Sequence, residues 1–175
     1  MIARRVSVLL MGLLVAAAGC AAPARSSKMV AEVAAPAPVT LRKKIAVTIV
    51  TAAELIQPVH SNVETAQLRQ AVERSLQSAG YLSASPTAAA ILLEIALLSL
   101  ENADMGATVT SRIRYTLTSR ASGAPLFNEV VVTECSRSAF LSWERLQHST
   151  ECSVRENIEA FLQKILLLRA AEVMA

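Results

Sequence analysis

Between Thr108 and Ser119 the chain alternates in character. Val109, Ile113, Tyr115 and Leu117 fall on one side, and Thr108, Thr110, Arg112, Arg114, Thr116 and Thr118 on the other. A period of two with one apolar side is the pattern of an antiparallel strand whose second side meets water. A strand of this kind needs neighbours. The turn signal Ser122-Gly123-Ala124-Pro125 supplies one, leading into a strand over Leu126 to Cys135. The other comes from the segment Ala88 to Leu100, where Ile91 to Leu98 is apolar on both faces apart from Glu94. Periodicity does not separate helix from strand in such a run. The alternating strand beside it decides for a central buried strand over about 90–100.

The remaining elements arrange themselves around these three strands. Lys44 to Val50 is rich in β-branched residues and reads as a first strand. Thr51 to His60 is a connection interrupted by Pro58, and Ser61-Asn62-Val63-Glu64 fits a capping box that opens a helix. Leu68, Val72, Leu76 and Ala79 form its apolar stripe, with Gln67, Arg69, Gln70, Glu73, Arg74 and Gln77 opposite. Gly80 follows, where a left-handed residue ends a helix. Ser136 to Thr150 reads as a loop. From Glu151 to about Arg169, Val154, Ile158, Phe161, Leu162 and Ile165 mark a second amphipathic helix. The order β-α-β-β-β-α predicts an α+β fold: a four-stranded, mainly antiparallel sheet with two helices on one face.

The N-terminus determines where such a domain works. Arg4 and Arg5 precede an apolar run from Val6 to Ala18. Roughly 13 residues are too few to cross a bilayer of about 30 Å, but they suit the core of a signal peptide. The run ends in Ala17-Ala18-Gly19-Cys20, which resembles the bacterial lipobox. That resemblance implies cleavage before Cys20, a diacylglycerol on its thiol and an acylated N-terminus such as palmitate. An ordinary secretory signal cut near Ala18 is the plainer alternative. Ala17 stands where lipoboxes usually have Leu. Residue 21 is Ala and not Asp, which by resemblance to Gram-negative lipoprotein sorting favours the outer membrane, facing the periplasm. The chain thus divides into a signal peptide (1–19), a lipidated Cys20 with a linker to residue 40, and one periplasmic domain (41–175). The stretch from Ala21 to Thr40 holds seven Ala and three Pro. So little large apolar content predicts a flexible coil, spanning on the order of 25 Å, that holds the domain clear of the lipid.

Two further cysteines, Cys135 and Cys152, remain for an oxidising compartment and are expected to pair in a disulfide. Losing Arg4 and Arg5 with the signal reduces 17 basic residues to 15, against 14 acidic. This near-neutral balance offers no clustered basic footprint for nucleic acid. Arg42-Lys43-Lys44 is the one basic run, and a strand flank explains it. Catalysis by a nucleophile needs a base held by an orienting group. The chain has two histidines, His60 and His148, and one aspartate, Asp104, with no spacing that joins them. Cys135, His148 and Cys152 are the only metal-like cluster, and a disulfide accounts for the cysteines more simply. Glu94 is expected on a sheet face or at a strand end near Arg112 or Arg114. No phosphate-binding glycine loop is present in the sequence. The reading is therefore of a protein that is not an enzyme and needs no cofactor or metal.

The segment between the cysteines holds Phe140, Leu141, Trp143 and Leu146, two of the chain's six aromatics among them. Tryptophan is favoured at binding hot spots and at membrane interfaces. These four residues are the candidates for a partner-binding surface, the alternative being a lid on the core. The order of elements resembles small Gram-negative outer-membrane lipoproteins of the YajG-like kind, and auxiliary lipoproteins of ABC-type transport systems. The matching features are Cys20, the Ala/Pro stretch, Ser78-Ala79-Gly80-Tyr81, the run Ile91 to Leu100, Tyr115-Thr116-Leu117 before Gly123, and Arg155-Glu156-Asn157-Ile158. The resemblance implies a membrane-anchored, non-catalytic lipoprotein that helps to assemble an envelope complex through a protein partner. The competing expectation is a binder of lipid or glycan in a pocket between helices and sheet.

Overall fold

The structure, a computed structural model, describes residues 24–33, 35–52, 63–103 and 108–168. Cys20, Ala21, Ser61, His60 and Asp104 lie outside the described residues, as does the signal peptide. Four strands and two helices follow in the order β1 (Ile45–Ala52), α1 (Thr65–Ser78), β2 (Ile91–Ala103), β3 (Thr108–Ser119), β4 (Pro125–Ser136) and α2 (Ser142–Leu166). The sheet order is β1-β2-β3-β4. β1 runs parallel to β2, and α1 makes the crossover that a parallel pair requires. β2, β3 and β4 are antiparallel. The fold is α+β in the predicted order, with one parallel pair in a mainly antiparallel sheet.

Register places the alternating residues of β3 as their pattern demands. Leu93, Ile95 and Leu97 stand opposite Leu117, Tyr115 and Ile113, all on the covered side. Leu68, Val72 and Leu76 of α1 join Val154, Ile158, Phe161, Leu162 and Ile165 of α2 over that same side in one buried cluster. Phe161 stacks on Tyr115 with ring centroids 4.1 Å apart and meets Phe127 edge-on. The space between helices and sheet, where a ligand pocket was the competing expectation, is thus occupied by side chains. Bulges at Thr48 in β1 and Leu98 in β2 shift the alternation by one residue in each strand. Arg69 crosses from α1 to the first of these and donates to the Val47 and Thr48 carbonyl oxygens at 3.1 and 3.0 Å.

Three expectations are corrected. First, α1 begins at Thr65, and the cap is Glu64, not Ser61: Gln67 Oε1 accepts the Glu64 amide at 3.1 Å. Its other end is as expected, with Gly80 at φ +82° and a paired bond set, Gly80 N–H to Gln77 O and Tyr81 N–H to Leu76 O.

Second, Ser136 to Thr150 is not a loop. α2 starts at Ser142, nine residues before the expected Glu151, so only 137–141 connect β4 to it. The burial of α2 begins at Ser149. Its first two turns hold half-buried side chains and none fully buried, and a helix without a buried stripe shows no clear period in sequence.

Third, the stretch to residue 40 is not a free linker. Met29, Ala31, Ala37 and Leu41 are buried in the core. Residues 24–33, including a short 3-10 turn at Ser26–Lys28, form a strap across both helices. Ser75 Oγ accepts the Ala31 amide at 2.9 Å, Ser26 bonds Gln70, and Arg25 bonds Glu151 of α2. Farther on, the Ala37 amide donates to Ala79 O at 2.8 Å. Small side chains let the backbone lie close to the helices, so alanine here packs where a larger residue would not fit.

Candidate functional site

The flank where strap, 137–141 connection and α2 meet carries most of the residues singled out from sequence. Cys135 at the end of β4 is joined to Cys152 of α2, with Cα atoms 5.8 Å apart and a sequence separation of 17. The bridge and the sheet edge hold the short connection between them. From that connection and the first turn of α2, Phe140 stands 96% exposed, Leu141 41% and Trp143 48%. Leu146 is half-buried. Three large apolar side chains therefore face outward side by side in sequence, and they are not a lid on the core.

Beside them lies a cleft of about 400 Å³ lined by Arg25, Lys28, Arg137, His148, Glu151 and Arg155. Glu151 is buried, and Arg25 satisfies it three times. The Arg25 backbone N–H and Nε donate to Oε1 at 2.9 and 3.0 Å, and Nη2 donates to Oε2 at 3.1 Å. Hydrogen bonding to Glu151, then its negative charge, raises the Arg25 pKa above its ordinary value. With Glu151 engaged in this way, Lys28, Arg137 and Arg155 make no ion pair among the described residues. A neighbouring cleft, of about 380 Å³, mixes Lys28 and Arg155 with Glu32 and Glu159 and has no such excess of positive charge.

A second polar cluster lies beneath α2, and the sequence reading missed it. Asn157 Nδ2 donates to Val131 O at 2.9 Å and to Ser111 O and Oγ at 3.3 Å, while its Oδ1 accepts from Tyr115 Oη at 3.0 Å. Ser153 Oγ meets Ser111 Oγ and the Thr133 carbonyl oxygen, at 2.9 and 3.1 Å. Ser111 Oγ also meets Thr133 Oγ1 at 3.0 Å and donates to the Ser153 carbonyl oxygen at 3.2 Å. The cluster ties α2 to β3 and β4. A signal was present in the sequence: Ser111 falls on the apolar side of β3, and Ser153 and Asn157 fall on the apolar stripe of α2. Burial pushes the Tyr115 phenol pKa well above its ordinary value.

The other candidates are dispersed. Glu94 is exposed on the open face of the sheet opposite Thr116, two pairs along the ladder from Arg114. Arg42 and Lys43 belong to the turn before β1. Cys135, Cys152 and Glu156 bring ligand-type atoms within 4.8 Å, but sulfurs joined to each other offer no thiolate to a metal. Among the described residues no helix is long and apolar enough to cross a membrane.

No family model and no curated protein matches the sequence. Solved structures do share the fold. The chain is similar to protein XCC0632 from Xanthomonas campestris, of the family DUF330, at 12% identity and a TM-score of 0.56, over 79% of this chain and 94% of that one. It is also similar to the hypothetical protein CT253 from Chlamydia trachomatis, at 13% identity and a TM-score of 0.53, over 71% and 95%. At these identities the likeness is one of fold.

Proposed function

We propose that this chain is a lipid-anchored lipoprotein of the outer membrane, facing the periplasm, of the YajG-like or ABC-transport auxiliary kind. In this reading it works without catalysis, as an interaction module of an envelope complex. The observation that carries the reading is the outward exposure of Phe140, Leu141 and Trp143 on a flank stapled by Cys135–Cys152. Apolar side chains of that size, grouped beside a disulfide, mark a contact surface of the envelope, toward a protein or toward lipid. The bridge limits the ordering that binding would otherwise demand. The lipobox at Cys20 supports the anchor.

The test is extraction of the full chain from envelopes in mild detergent, followed by native mass measurement. The expected result is an acylated Cys20 and an assembly heavier than one chain. An unmodified Cys20 together with a persistent monomer overturns the reading.

A further inference from the structure

The strap changes the geometry of any anchor at Cys20. Only residues 21–23 separate Cys20 from Ala24, which is already buried against the body. Four residue steps reach at most about 14 Å. The body therefore cannot stand off from a membrane that holds Cys20. It must present to that membrane the flank around Ala24 and Arg25. Arg25 is seated on Glu151, and Glu151 lies eight residues along α2 from Trp143, about 12 Å of helix. The exposed Phe140, Leu141 and Trp143 and the basic cleft are accordingly on the part of the surface nearest the anchor.

We infer that the occupant of this flank is the phospholipid surface carrying the anchor, with Phe140, Leu141 and Trp143 in the interfacial layer and the basic cleft over the lipid phosphates. The inference rests on the Cys20 anchor of the proposed function and identifies what the exposed flank meets. Two properties of the flank fit that occupant. Tryptophan and its apolar neighbours suit the headgroup boundary, where an amphipathic ring has one end dry and one end wet. Arginine suits phosphate because its planar fork matches two oxygens at once, and Arg137 and Arg155 make no ion pair among the described residues, Arg155 Nη2 meeting only the Cys152 sulfur at 3.6 Å. Glu151, buried under Arg25, Glu144, in the first turn of α2, and Glu32 and Glu159, which share the neighbouring cleft with Lys28 and Arg155, oppose these charges, and Lys28 and Arg145 add to them. The lining of the cleft itself stays positive, with Arg25, Lys28, Arg137 and Arg155 against Glu151.

Trp143 is the only tryptophan, so its emission reports on this site alone. The experiment uses the full mature chain with vesicles of phosphatidylethanolamine and phosphatidylglycerol, and with vesicles of phosphatidylcholine. In each set some lipids are brominated along the acyl chain. Mass measurement of Cys20 is made on the same sample, so failure of the anchor is seen separately from failure of the flank. In the anionic vesicles Trp143 emission should shift to the blue and be quenched most by bromines near the headgroup. Full-chain Cys20→Ser isolates the flank, and its vesicle affinity should fall about fivefold for each of Arg137→Gln and Arg155→Gln. Phe140 is almost wholly exposed, so Phe140→Ser should weaken binding without altering the melting temperature. An acylated chain whose Trp143 stays quenchable by aqueous iodide and untouched by bromolipid overturns the inference. So does a Trp143 shielded from both quenchers, which would show a protein covering the flank.

Discussion

Asn157 shows how much depends on one side chain beneath α2. It accepts from Tyr115 and donates to the Val131 and Ser111 carbonyl oxygens, all in the interior. Asn157→Ala leaves these groups without partners and opens a small void, so a loss of about 3 kcal/mol in urea unfolding is expected. Tyr115 adds a pH signature. Its folded pKa lies above the unfolded value of 10.0, so its contribution is fully present below pH 10. As pH rises past that value the unfolded chain loses its proton first, and stability falls. Tyr115→Phe should flatten this alkaline decline, while Tyr81, whose pKa burial also raises, keeps part of it. Unfolding followed from pH 8 to pH 11 measures the difference. Lys43 is another single-residue case, at φ +57° in the turn before β1. Lys43→Gly relieves the left-handed strain and should raise stability by about 0.5 kcal/mol.

Among the elements, the strands and the buried half of each helix were legible because burial imposes a period. β3 could be read outright, and it settled β2, whose own sequence was ambiguous. The elements that misled are those in which burial and period part company. The first two turns of α2 are helical with no fully buried side chain before Ser149, and so Trp143 and Leu146 read as loop. The strap is buried without being regular, and so its alanines passed for a linker. Two outcomes test how the elements are fastened. Replacing Cys135 and Cys152 together by Ser should cost about 3 kcal/mol, the loop-closure entropy of a 17-residue separation. Reductant should lower the native chain to the same midpoint. Gly80→Ala would put a Cβ 3.9 Å from Ala37 Cβ, an ordinary contact, so only the positive φ opposes it. A loss of about 1 kcal/mol by thermal unfolding is expected.

Taken whole, the described residues form one covered sheet face, one open face, and a flank where strap, disulfide and exposed aromatics converge. The cleft on that flank was not legible in sequence because Arg25, Lys28, Arg137 and Arg155 are scattered along the chain and only the strap brings the first two to the others. A count of charges sees a near-neutral protein, whereas the fold sorts them. The Arg25–Glu151 bond spans 126 positions, nearly the full length of the folded body. Contacts so distant in sequence form late, after the loops between them have closed. A chain that emerges from its N-terminus first therefore offers the strap long before α2 exists to receive it. The strap must wait, unpacked, until the last helix has arrived. The segment beside the proposed anchor is then among the first parts of the chain to be made and among the last to settle.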